Sequence, residues 1–164
     1  MTNNNNKMYL LICFLSVLLA LVGCSGIRIK QKNIYKIDEQ IANEADTYSY
    51  LSRVDIEGFS KKTNQVHIEF SKFYGTDTIW RIESNGNNTL ELSYKSEISK
   101  GKFKLVLVTE DEEVVNLLES SDEGTREVDI EKGTYRLKFV GQNAKGKVFI
   151  DIEENSNIEL EKYE

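Results

Sequence analysis

From Gln65 onward the chain alternates apolar and polar residues, and this period of two constrains the fold more than any other feature. Val66, Ile68 and Phe70 alternate with His67, Glu69 and Ser71; Trp80 and Ile82 with Arg81 and Glu83; Leu90, Leu92 and Tyr94 with Glu91, Ser93 and Lys95. Successive side chains of a strand point to opposite faces, so each run predicts a strand with one buried and one solvated face. The pattern continues over residues 102 to 110, where Val106 and Val108 face the other way, and over 113 to 119, 126 to 130, 134 to 140 and 147 to 153. Asn85-Gly86, Lys100-Gly101, Asp122-Glu123-Gly124, Lys132-Gly133 and Gly141 to Gly146 separate these runs with residues that tight turns favour. About eight strands at such spacings predict an all-β fold, an antiparallel β-sandwich of jelly-roll type. Proline is absent, so charged side chains must protect the edge strands instead.

Ahead of the strands, Ile34, Ile37, Ile41, Ala45, Tyr48 and Leu51 recur at steps of three or four. That spacing predicts a short amphipathic helix over residues 34 to 51. The chain's 164 residues leave room for one folded domain. Its divisions read as an export signal (1–23), a lipidated N-terminus and tether (24–33), a helix and lead-in (34–64) and the sandwich (65–164).

The export reading comes from the first residues. The single cation Lys7 precedes an apolar run of 15 residues, Met8 to Val22, broken only by Ser16. A positive start, an apolar middle and a small-residue end make a secretion signal. The run is short of the about 20 residues a spanning helix needs. At its end, Leu21-Val22-Gly23-Cys24 resembles the lipobox of bacterial lipoproteins at all four positions. The resemblance implies cleavage between Gly23 and Cys24, a diacylglyceryl group on the Cys24 thiol, and residence on the extracytoplasmic face of the cell membrane. Each buried methylene contributes about 0.8 kcal/mol, so two acyl chains hold where one holds only marginally. Arg28, Lys30, Lys32 and Lys36 follow before the first acidic residue, Asp38. They read as a solvated tether, with anionic head groups as the other partner open to them.

Charge and cysteine usage narrow the function. The chain carries −6 overall, and Lys7 is the only charge before Cys24. A body this acidic argues against nucleic acid, whose phosphates need concentrated Lys and Arg. Cys13 lies inside the export signal, so nothing after Cys24 is a thiol. Disulfides, thiolate metal sites and cysteine nucleophiles are therefore excluded from the body.

Gly141 to Lys147 fits seven positions of the phosphate-binding loop, but Val148 stands where Ser or Thr must hold magnesium, and two predicted strands flank it. It reads as a turn. His67, the only histidine, falls opposite Val66 and Ile68 and reads as a surface residue; no G-x-S-x-G elbow accompanies it. The runs Glu110 to Glu113 and Asp122-Glu123 lack the alternating spacing of a calcium loop, and nothing fixes two carboxylates as a glycosidase pair. Neither a metal nor a cofactor is expected. Trp80, Phe70, Tyr135 and Phe139 are in phase with aliphatic neighbours and read as core. Phe73 and Tyr74, beside Gly75, are the candidate exposed rings for a ligand.

The segments FSKFYGTDTIWRIES, EISKGKFKLVLVTEDEEVV and EKGTYRLKFVGQNAKGKVFIDIE, within residues 70 to 153, resemble small surface lipoproteins of low-GC Gram-positive bacteria such as clostridia. The resemblance rests on Lys100 to Val108, on Lys132 to Arg136 and on Asn143 to Gly146. It implies the same fold and address and brings no catalytic residue. The expectation is a lipid-anchored, non-catalytic surface protein in a binding or structural role. The alternatives are a carbohydrate- or peptide-binding module using Phe73 and Tyr74, and an extracellular hydrolase with an unrecognised site.

Overall fold

The computed structural model describes residues 33–56 and 63–163, which fall in one compact unit, Gln31–Glu164. The export signal, Gly23, Cys24 and most of the tether lie outside the described residues. A 3-10 turn (Ile34–Lys36) and a short helix α1 (Asp38–Ala42) lead into eight strands. These are β1 (Thr47–Ser49), β2 (Ser52–Asp55), β3 (Gln65–Ser84), β4 (Asn88–Val108), β5 (Val114–Glu119), β6 (Asp122–Ile130), β7 (Gly133–Ile152) and β8 (Ile158–Lys162). Every pairing is antiparallel.

The strands are divided differently from the alternation alone. β3, β4 and β7 run 20, 21 and 20 residues, and each joins two of the predicted strands into one that bends at its middle. Lys100-Gly101 and Gly141 to Gly146, read as turns, lie within β4 and β7. Each bend has a backbone cause. Lys72, Gly75, Gly101 and Asn143 hold φ of 48°, 98°, 76° and 55°, and the register slips between Phe70 and Phe73 and again from Ile98 to Lys102. An inserted residue bends a strand and sharpens its twist. At Gly75 a Cβ would stand 1.8 Å from the Thr47 carbonyl oxygen, and at Gly101 2.2 Å from that of Asn143. Only glycine fits there.

Bending folds the sheet into two leaves. The first leaf comprises β2, the leading half of β3, the trailing half of β7, the leading half of β4, and β6. The second comprises β1 and β8 against the trailing half of β3, then the leading half of β7, the trailing half of β4, and β5. Val66, Ile68, Phe70, Leu92 and Ile150 from the first leaf share one core with Trp80, Phe103, Leu105, Leu137 and Phe139 from the second. Phe70 and Phe103 meet across it with ring centroids 5.4 Å apart. Each such side chain contributes roughly 1.5–3 kcal/mol when withdrawn from water. The result is the expected antiparallel β-sandwich.

The outer faces of the two leaves differ. Val106, Val108 and Val140 point outward from the second leaf and are covered by Ile34, Tyr35, Ile41 and Ala42. The run Leu105 to Val108 is continuously apolar because both its faces are buried. The covering segment is shorter in helix than its spacing predicts: α1 stops at Ala42, and Tyr48 and Ser49 pair with β3. Five residues cannot sustain a helix alone, whereas aromatic and hydroxyl side chains suit a pleated edge. Polar contacts hold the segment down. Arg136 donates from Nη2 to the Ala42 carbonyl at 2.8 Å, and Tyr35 donates from its hydroxyl to Glu119 Oε1 at 2.9 Å. Among the described residues, nothing covers the outer face of the first leaf.

Candidate functional site

On that open face the alternation aligns outward side chains into rows across the strands. One row runs His67, Phe149, Lys95 and Glu123, set by the pairings of His67 with Phe149, Phe149 with Lys95, and Lys95 with Glu123. Ile56 extends it beyond β2, its N–H donating to the His67 carbonyl at 2.8 Å. The next row runs Val54, Glu69, Lys147 and Glu97. Val148, Ile150 and Ile152 all point inward, which forces the Phe149 ring outward. It meets His67 edge-on, with centroids 5.9 Å apart and planes at 85°.

Ile56, His67, Lys95, Glu97, Lys147 and Phe149 line a shallow depression of ≈ 460 Å³. A second, of ≈ 380 Å³, continues it toward the bends and shares Glu97 and Lys147 with the first. Ser99, Ser121 and Lys145 add polar groups there. Ion pairs tie down part of the charge: Lys147 Nζ lies 3.6 Å from Glu69 and Lys95 Nζ 2.8 Å from Glu123. Hydrogen bonding to Glu123 raises the Lys95 pKa, so its ammonium stays charged at neutral pH.

An aromatic ring set among ammonium and carboxylate groups offers two kinds of contact. The ring takes an apolar C–H face, and the charged groups bond hydroxyls around it. An open groove shared by two depressions accepts an extended ligand more readily than a compact one. Among the described residues, no group of three His, Cys, Asp or Glu side chains could hold a metal ion.

The sequence-predicted ligand residues lie elsewhere. Phe73 is 0% exposed and stacks on Tyr50, centroids 4.4 Å apart at 8°. The extra residue at Lys72 reverses the alternation and turns Phe73 into the core, so the expectation of an exposed Phe73 is corrected. Tyr74 is half-buried on the other side, opposite Ser49 and Gln142. His67 is on the solvated side of β3, half-buried beside Phe149. The ring that lines the depression is Phe149. Its antiphase with three aliphatic neighbours in Val148 to Ile152 is the signal that marks it.

Two other polar clusters belong to the scaffold. Asp77, 4% exposed, accepts from the Tyr50 hydroxyl at 2.6 Å and from Arg53 Nη1 at 2.9 Å. Burial raises its pKa above the ordinary carboxylate value against the pull of both partners. A mixed-charge bay of ≈ 350 Å³ lies over the second leaf, between Glu44, Arg81, Glu110, Arg136 and Tyr163.

No family model matches the chain, and no curated protein matches it. Solved structures similar to it include a mutant family 29 carbohydrate-binding module complexed with mannohexaose. That match has 15% identity, covers 71% of this chain and 79% of the other, and has a TM-score of 0.38. TmCBM61 in complex with β-1,4-galactotriose is 15% identical over 73% of this chain and 90% of its own, with a TM-score of 0.35. An exo-β-1,3-galactanase from Phanerochaete chrysosporium, with galactose, is 16% identical over 66% of this chain and 29% of its own, with a TM-score of 0.39. Identities and scores this low say nothing about a shared ligand.

Proposed function

We propose that this protein is a lipid-anchored module of the extracytoplasmic membrane face whose sandwich binds carbohydrate without catalysis, on the open face around Phe149. One observation carries the reading. A ring is held outward on a leaf that no other described residues cover, inside a depression walled by Lys95, Glu97, Lys147 and His67. A folding core gains nothing from that placement, whereas a sugar ring stacked on Phe149 would bury it and take hydrogen bonds from the charged rim. Anchoring follows from Leu21-Val22-Gly23-Cys24.

A glycan array probed with the body from Ser25 onward tests the binding half. Defined oligosaccharides are expected to bind, and a blank array contradicts the reading. Membrane fractionation of Cys24→Ser tests the address: the variant is expected to lose lipid and to be released or left uncut. Normal cleavage with continued retention contradicts it.

A further inference from the structure

The body is acidic, yet one end of it gathers lysines that no described carboxylate pairs. The bends of β3, β4 and β7 lie together at that end and expose Lys72, Lys100, Lys102 and Lys145. None of the four forms an ion pair with a carboxylate among the described residues. Lys100 and Lys145 stand directly opposite each other in the β4–β7 ladder. Like charges so placed destabilise a sheet, so folding does not account for them. The opposite end collects the loops 109–113, 131–132 and 153–157, where Glu110, Asp111, Glu112, Glu113, Glu153 and Glu154 are exposed. The bends thus gather four lysines without ion pairs among the described residues, with Glu97, Glu119 and Asp122 also exposed beside them, whereas the loops at the other end expose mostly carboxylates, with Lys132 among them.

The chain enters at the lysine end. Tyr35 donates to Glu119 and to the Phe103 carbonyl, and its ring lies 5.9 Å from Lys102 Nζ and 5.2 Å from Lys104 Nζ. Only residues 25 to 32 separate Cys24 from Asn33. Extended, they reach at most about 30 Å, and they carry Arg28, Lys30 and Lys32 with no acidic residue.

From these two observations we propose that the bend end is a docking surface for anionic lipid head groups, holding the body with its carboxylate loops away from the membrane. The proposal rests on the reading of Cys24 as the lipid anchor. Each lysine near an anionic surface strengthens binding about fivefold at modest ionic strength. Docked this way, the long strands stand roughly along the membrane normal and the Phe149 face looks sideways into solvent.

The test uses the body from Ser25 onward, whose core is self-contained within one compact unit. Its co-sedimentation is measured with vesicles rich in phosphatidylglycerol and with vesicles of phosphatidylcholine alone. The expected result is binding to the first at low salt, lost at high salt, and weakened on the order of 100-fold in Lys100→Gln/Lys102→Gln/Lys145→Gln. A control, Glu110→Gln/Glu112→Gln/Glu113→Gln, should bind at least as well as the parent. Equal partition to both vesicles, no effect of the lysine triple, or binding to soluble polyphosphate but not to vesicles would overturn the proposal. The fragment lacks Cys24, so this outcome is independent of lipidation. Vesicle binding by a chain whose Cys24 takes no lipid would sink the anchor alone, and a lipidated chain whose fragment ignores phosphatidylglycerol would sink the docking surface alone.

Discussion

Lys138 donates from Nζ to Asp46 Oδ1 at 3.1 Å while its own side chain is 0% exposed. A second bond, 2.6 Å to the Asn43 carbonyl, completes a clamp that fastens the covering segment to the second leaf. Asp46 also accepts from the Thr78 N–H at 2.8 Å. Burial pulls the Lys138 pKa below that of an exposed lysine, and Asp46 opposes the pull.

Removing one partner of such a pair leaves a buried charge uncompensated, which costs about 3–5 kcal/mol. Asp46→Ala should therefore lower stability by an amount in that range, measured by urea unfolding. Protease sensitivity should appear first in residues 33 to 46. A loss under about 1 kcal/mol would mean that the clamp is not what holds the segment.

Asp77 gives the fold a pH dependence of known sign. Its folded pKa is raised above 3.8 by burial, so the folded state holds the proton more tightly than the unfolded state. The stability this contributes is present in full below pH 3.8 and is lost as pH rises through the folded value. Asp77→Asn keeps an acceptor for Tyr50 and removes the titration. Unfolding midpoints of parent and variant should shift in the variant's favour from about pH 3 to 7; a difference constant with pH would contradict the assignment.

The bends supply a third test. Gly75→Ala forces a side chain onto a φ of +98° and into the Thr47 carbonyl, and should destabilise by more than about 1 kcal/mol while loosening β1. Gly86→Ala, with nothing within 4 Å of the added carbon, should change stability by less than about 0.5 kcal/mol. Equal effects would show that the bend does not need glycine.

Two rings on β7 should separate stability from binding. Phe139 is 0% exposed and in the core, so Phe139→Ala should cost about 3–5 kcal/mol. Phe149 is outward and half-buried, so Phe149→Ala should cost less than about 1.5 kcal/mol. Comparable losses would place Phe149 in the scaffold.

The alternation made the fold class readable, because a period of two with glycine punctuation has few all-β solutions. It could not divide the strands. Whether Gly101 ends a strand or bends one depends on the neighbouring β7 bulge at Asn143, which is a tertiary fact. The same bulge logic hid Phe73, since the extra residue at Lys72 turns Phe73 inward, and the phase of Phe70 returns only at Trp80, after a second slip between Thr78 and Trp80. β1, β2 and β8 are short edge strands whose pairing with β3 carries little local signal. The site was half legible. Phe149 in antiphase within KVFIDIE marks an outward ring, but only the pairings with His67 and Lys95 tell what surrounds it. The lysines at 72, 100, 102 and 145 are scattered in sequence and gather only because three strands bend together.

If the open leaf binds carbohydrate through Phe149, removing that ring must weaken the binding and leave the fold intact. Titration of an array-selected oligosaccharide into the body from Ser25 onward, by calorimetry, tests it most directly with Phe149→Ala run beside the parent. Saturable binding by the parent is expected, weakened about tenfold or more in the variant, with the two proteins unfolding at closely similar urea concentrations. Equal binding by both proteins, or no oligosaccharide bound by the folded parent, would contradict it.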